Sequence, residues 1–122
     1  MTRFAALDSG EFTILAGSIN GSGGTDAVLT SEDGAASLTV NGTGDFTVDF
    51  GHDFPSSPVV IANAASTLAT EGILIQYELA TDTDTSEYAT VTFNVLGMAS
   101  ATDAFAATDV DFSFAVLGKR AR

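Results

Sequence analysis

The chain has no cysteine, no tryptophan, one histidine and only two prolines among its 122 residues. Without cysteine there is no disulfide and no thiolate metal site, and the redox compartment leaves no mark on the composition. No apolar run approaches the roughly 18 residues that a membrane-spanning helix needs. The N-terminal Met1–Asp8 stretch lacks the apolar segment of about 7–15 residues found in a secretion signal. A product released in soluble form, with no membrane partner, is therefore expected. The most pronounced absence is of positive charge. Not one Lys or Arg lies between Arg3 and Lys119, a span that holds all 16 acidic residues, from Asp8 to Asp111. Nucleic-acid binding by the body of the protein is excluded on this ground, because phosphates would meet only carboxylates.

What positive charge exists sits at the two ends: Arg3, then Lys119, Arg120 and Arg122. A net charge of −12 on a chain that is 45% hydrophobic describes a folded acidic domain, not a disordered acidic tail. Self-repulsion destabilises such a body in dilute salt. In about 1 M salt the Debye length falls to roughly 3 Å and most of that repulsion disappears. Acid-rich surfaces from which lysine is nearly absent suit a salt-saturated cytoplasm, and a halophilic source is expected.

Hydrophobic residues recur with a period of two. Phe46, Val48 and Phe50 alternate with Thr47 and Asp49, and Val91, Phe93 and Val95 with Thr92 and Asn94. Ile73, Ile75, Tyr77 and Leu79 form a third such series, and Val110, Phe112, Phe114 and Val116 a fourth. This is half-buried strand patterning with β-branched and aromatic residues facing inward, which makes Tyr77 a core residue. Phe12–Ala16, Ala27–Thr30, Ser37–Val40 and Val59–Asn63 bring the count to about eight strands. Turn chemistry separates them: Asn20–Gly24, Asp33-Gly34, Asn41–Asp45, and Pro55 with Pro58 bracketing two serines. The expected fold is all-β, a single antiparallel β-sandwich of jelly-roll type over residues 12–118. Residues 1–11 then form an N-terminal docking arm and 119–122 a basic tail. The Ala-rich gap Gly97–Thr108 is expected to hold a helical turn or a loop.

Three stretches resemble a known class of domain. Asn41-Gly-Thr-Gly-Asp-Phe-Thr-Val-Asp-Phe50 leading to Phe54-Pro-Ser-Ser-Pro-Val-Val60 is similar to a strand–turn run of small β-sandwich domains in tailed-virus fibres and related virion surface proteins. Ile19–Gly24 and the closing Phe112-Ser-Phe-Ala-Val-Leu-Gly118 follow the same order. The resemblance implies a virion module, made in the host cytoplasm, that assembles as a homotrimer. With the halophilic composition, it implies a haloarchaeal tailed virus. Fibre domains carry a long shaft before the head, whereas here the head begins after about a dozen residues. Direct attachment as a capsid decoration or turret component on the virion surface is expected, with the major capsid protein or another virion subunit as partner. The alternative is a receptor-binding fibre head, or a lectin-like module that recognises a host glycan.

Residues follow from this reading. Docking falls to Arg3, Phe4, Leu7, Lys119, Arg120 and Arg122, the apolar pair because an exposed ion pair contributes little in high salt. Asp82, Asp84 and Glu87 space their carboxylates as a hard cation prefers, Ca²⁺ or Mg²⁺, although no glycine follows to sharpen the turn. The alternative is a solvated acidic hairpin loop with no cofactor. Tyr88, beside that loop, is the best candidate for a sugar face. His52 lies between Asp49 and Asp53, as a general base or metal partner would, or as a simple turn histidine. Asn20-Gly-Ser22 and Asn41-Gly-Thr43 fit the glycosylation acceptor pattern and, equally, ordinary turn chemistry. No nucleophile motif accompanies them, and no enzyme activity is expected.

Overall fold

The computed structural model describes residues 12–31, 34–64, 72–99 and 104–119. Among these, nine strands form two antiparallel sheets, as expected of a β-sandwich. The strands are β1 (Phe12–Asn20), β2 (Leu29–Ser31), β3 (Ser37–Gly42), β4 (Asp45–Phe54), β5 (Val59–Ala64), β6 (Gly72–Thr81), β7 (Tyr88–Ala99), β8 (Ala104–Ala107) and β9 (Asp111–Lys119). One sheet has the order β2-β1-β9-β5. The other has β3-β4-β7-β6, with β8 added on β7.

The core lies where the inward residues of both sheets meet. Phe46, Val48, Phe50 and Phe54 of β4 and Val91, Phe93 and Val95 of β7 face Leu15, Ile19, Phe112, Phe114 and Val116 across the sandwich, all buried. Phe93 is fully buried, with its ring centroid 5.2 Å from that of Phe112 and 5.2 Å from that of Phe114. Aromatic rings prefer such tilted and edge-on contacts to flat stacking. Phe50 and Phe54 point to the same core although an irregular stretch of three residues separates them. Asp49 pairs with Thr90 and Phe54 with Tyr88, so β4 holds three more residues than β7 between those pairs. The bulge turns at Gly51, at φ 74°, where a Cβ would sit 2.4 Å from the Ala35 carbonyl oxygen.

The Gly97–Thr108 gap differs from expectation. Its described residues form the end of β7 and the short strand β8, where a helical turn or a loop was expected, and residues 100–103 lie outside the described ones. Ala-Phe-Ala-Ala has no alternating pattern to announce a strand. It becomes one because β7 runs on past the start of β4, leaving ladder groups that Ala104–Ala107 pair along Leu96–Ala99. Gly44 closes the seam between β4 and β8. Its carbonyl accepts from Val95 N (2.7 Å), the Val95 carbonyl accepts from Thr108 N (3.0 Å), and its own N–H donates to Asp109 Oδ1 (2.8 Å). The turn needs φ 64° there, and a Cβ would meet the Val95 carbonyl oxygen at 2.5 Å.

Tyr77 is a second correction. It is 47% exposed, not core. Its register partner is the buried Phe93, so it does face inward. However, β6 is the margin of its sheet, and periodicity reports the face of a residue and not its distance from the edge.

Candidate functional site

The first and last strands of the sandwich are neighbours. Phe12 pairs with Lys119, and the ladder continues to Asn20 opposite Asp111. The two ends of the domain thus lie side by side at one pole. The connection between Phe54 and Val59 reaches the same pole, since Val59 pairs with Leu117. So does the acidic loop, because Phe54, Tyr88 and Thr81 are register partners where β4, β7 and β6 reach that end. Lys119, expected in the tail, is the last residue of β9 and is exposed. Arg3, Phe4, Leu7, Arg120 and Arg122 lie outside the described residues.

The acidic loop is held by its own hydrogen bonds. Asp82 N donates to the Glu87 carbonyl (2.7 Å), and Ser86 N to the Asp82 carbonyl (2.8 Å). Asp82 Oδ1 accepts from Asp84 N (2.7 Å), an Asx turn, and Thr85 Oγ1 accepts from Glu87 N (3.2 Å). Ser86 supplies the sharp reversal at φ 60°, in place of a glycine. The Thr85 hydroxyl donates to Asp53 Oδ2 (3.4 Å), which ties the loop to the β4 bulge. Among the described residues no three His, Asp or Glu side chains converge as a metal would require. If the loop is the solvated hairpin, millimolar Ca²⁺ leaves the melting temperature unchanged. A cation at a hundred times its dissociation constant would instead add about 2.7 kcal/mol, a rise of several degrees by differential scanning fluorimetry.

Tyr88 is half-buried and packs on the core, while Tyr77, whose ring is exposed, lies mid-strand on the sheet margin, level with Phe93 and Phe46 and away from this pole. His52 lies in the β4 bulge, half-buried, between two engaged carboxylates. Asp49 Oδ1 accepts from Gly51 N (2.9 Å), and Asp53 accepts from Thr85.

The opposite pole carries carboxylates that the sequence did not single out. Asp109 holds Gly44, and Asp111 Oδ1 accepts from both Ser22 N (3.0 Å) and Ser22 Oγ (2.6 Å). These bonds pin the short 3-10 turn Gly21–Asp26 to the start of β9. The Ser22 hydroxyl and backbone N–H hold the Asp111 carboxyl below the ordinary aspartate range. Stability from this tie is present above about pH 4 and lost as pH falls through the lowered value. Ser22→Ala is expected to lower the melting temperature by about 1–3 °C at about pH 6, with the gap closing as pH falls through the lowered value. Both sequon asparagines are used by their turns. Asn20 Oδ1 accepts from Val28 N, and Asn41 Nδ2 donates to Asp45 Oδ1 (3.1 Å) and Thr47 Oγ1 (2.8 Å).

Set against known proteins, the chain matches no family model, no curated protein and no solved structure.

Proposed function

We propose that this protein is a structural component of a virion surface, a capsid decoration or turret subunit of a haloarchaeal virus, docked through the pole at which its two ends meet. The observation that carries the proposal is the pairing of Phe12 with Lys119. The segments bearing Arg3, Arg120 and Arg122 therefore join an otherwise acidic body at adjacent residues. A second acidic virion subunit, such as the major capsid protein, is the partner such a pole suits. Phe4 and Leu7 would add apolar contact that survives high salt. The role is mechanical. The acidic body suits an outward face in brine.

The shared pole also favours decoration over receptor binding. A receptor-binding head presents the end opposite its attachment, yet the Asp82–Tyr88 patch lies at the end where the terminal segments attach. On this reading the loop meets the docking partner or lines the joint, and any hard cation there would belong to the joint. The outward pole is then the one built from Gly21–Asp26, Asn41–Gly44 and Asp109.

Copy number per purified particle, measured by quantitative mass spectrometry against the major capsid protein, tests the proposal. Hundreds of copies are expected. A handful would move the protein to a tail fibre, and absence from particles would overturn the virion reading. Removal of Met1–Leu7 or of Arg120–Arg122 is expected to cut the bound copies at least about tenfold, since docking energy concentrates in a few residues. The circular dichroism of the sandwich should not change.

A further inference from the structure

The two outer faces of the sandwich differ sharply. On the five-stranded sheet the outward residues include Asp45, Asp49 and Glu78 around a threonine row, in which Thr47 Oγ1 lies 2.9 Å from Thr92 Oγ1. On the four-stranded sheet the outward positions run Ile14, Ala16 and Ser18 on β1, Ser113, Ala115 and Leu117 on β9, and Val59, Ile61 and Asn63 on β5. None of these is charged, although the chain holds 16 acids. Ile14 is 64% exposed, Val59 60% and Ile61 51%. The face is not flat: a hollow of about 220 Å³ opens between Ile61, Asn63, Ser113 and Ala115.

Among the described residues, charge appears on this face only at the two ends of the inner strand β9, as Asp111 at one end and Lys119 at the other. We propose that this face packs against the same face of a second copy, about a two-fold axis that crosses β9 at Ala115. Two copies of a body with net charge −12 repel over most of their surfaces, and the uncharged sheet is where they can approach. A two-fold axis in the interface and perpendicular to the strands sets Lys119 against Asp111 of the partner subunit, and the reverse at the other end. A two-fold axis along the strands would instead stack each of these charges on its own kind. Strands of nine, three, nine and six residues about 4.8 Å apart present roughly 430 Å² per copy, so about 860 Å² in all, the size of a weak pairing. Ile61 pairs with Ala115, which places it level with the axis and against Ile61 of the partner subunit.

The proposal stands apart from the virion reading and is tested on the full chain in about 2 M salt, by sedimentation equilibrium over a range of concentrations. A particle of twice the chain mass is expected. Ile61→Asp brings two carboxylates together on the axis and should raise the dissociation constant on the order of a hundredfold without altering the β-sheet dichroism. Lys119→Asp should raise it about tenfold, and adding Asp111→Lys should restore it to within about threefold of the parent. The charge exchange keeps the proposal testable if Ile61→Asp fails to fold. A monomer up to about 100 μM, a trimer, or a dimer indifferent to Lys119→Asp would overturn it.

Discussion

Phe93→Ala is expected to remove about 3–5 kcal/mol of folding free energy, a large part of the 5–15 kcal/mol typical of a domain. Phe93 is fully buried on β7, the strand flanked by β4 and β6, and its ring meets Phe112 and Phe114 of the opposite sheet. Phe112 in turn lies 5.8 Å from Phe46, so the substitution opens a cavity within a ring cluster that joins both layers. Strands pinned by hydrogen-bond ladders on both sides cannot collapse into that space, which puts the cost toward the upper end. Tyr77→Ala, at the register partner of Phe93 on the sheet margin, should cost under about 1 kcal/mol because its ring already faces water. Urea unfolding followed by circular dichroism reads both, with the Phe93→Ala midpoint falling by about 2 M. Equal midpoints for the two variants would mean that the core is not where these rings place it.

Transfer from molar salt to about 10 mM salt is expected to unfold the protein or leave it marginal. One pair of like charges about 20 Å apart in water repels by about 0.2 kcal/mol before screening, and sixteen acids make on the order of a hundred pairs. Four basic residues offset little of this. At about 3 Å the Debye length silences nearly all of these pairs, whereas at about 30 Å it silences few. Even if the unfolded chain retains half of the repulsion, several kcal/mol remain against the fold, as much as a small domain has to lose. The measurement is far-ultraviolet dichroism during stepwise dialysis. A spectrum unchanged down to 10 mM would remove the basis for a salt-adapted source, while the docking pole would stand. Combining the two experiments sharpens both, since Phe93→Ala should need the higher salt to fold at all.

Function rests on fewer residues than the fold does. The proposed docking segments join the sandwich where Phe12 meets Lys119, and the uncharged sheet offers a surface for a second copy. One is an end of the sandwich and the other a broad face, and they share only Lys119, at the end of β9. In a pair about that axis the two docking poles point in opposite directions, so a shell would hold only one copy of each pair by its pole.

By itself the sequence determined the fold class and most of the core. Strict alternation at Phe46–Phe50, Val91–Val95 and Phe112–Val116 sets which side of a strand is buried, since side chains of a strand point alternately to opposite faces. Pro55 and Pro58 stop one strand and free the next to begin at Val59, and Asn41–Gly44 turns the β3–β4 hairpin, both from local chemistry alone. The tertiary structure decided everything that depends on the lane a strand occupies. Periodicity cannot tell that β1 pairs with β9 across almost the whole chain, so the meeting of the two ends was invisible. It cannot tell an edge from a centre, which is why Tyr77 read as core and proved exposed. Ala104–Ala107 became a strand only because β7 left groups for it to pair. Ile14, Val59 and Ile61 looked like ordinary strand residues until pairing put them on one outward face without charge. Alternation is a property of neighbours along the chain, whereas lanes, edges and shared faces arise from hydrogen bonds between segments far apart in it.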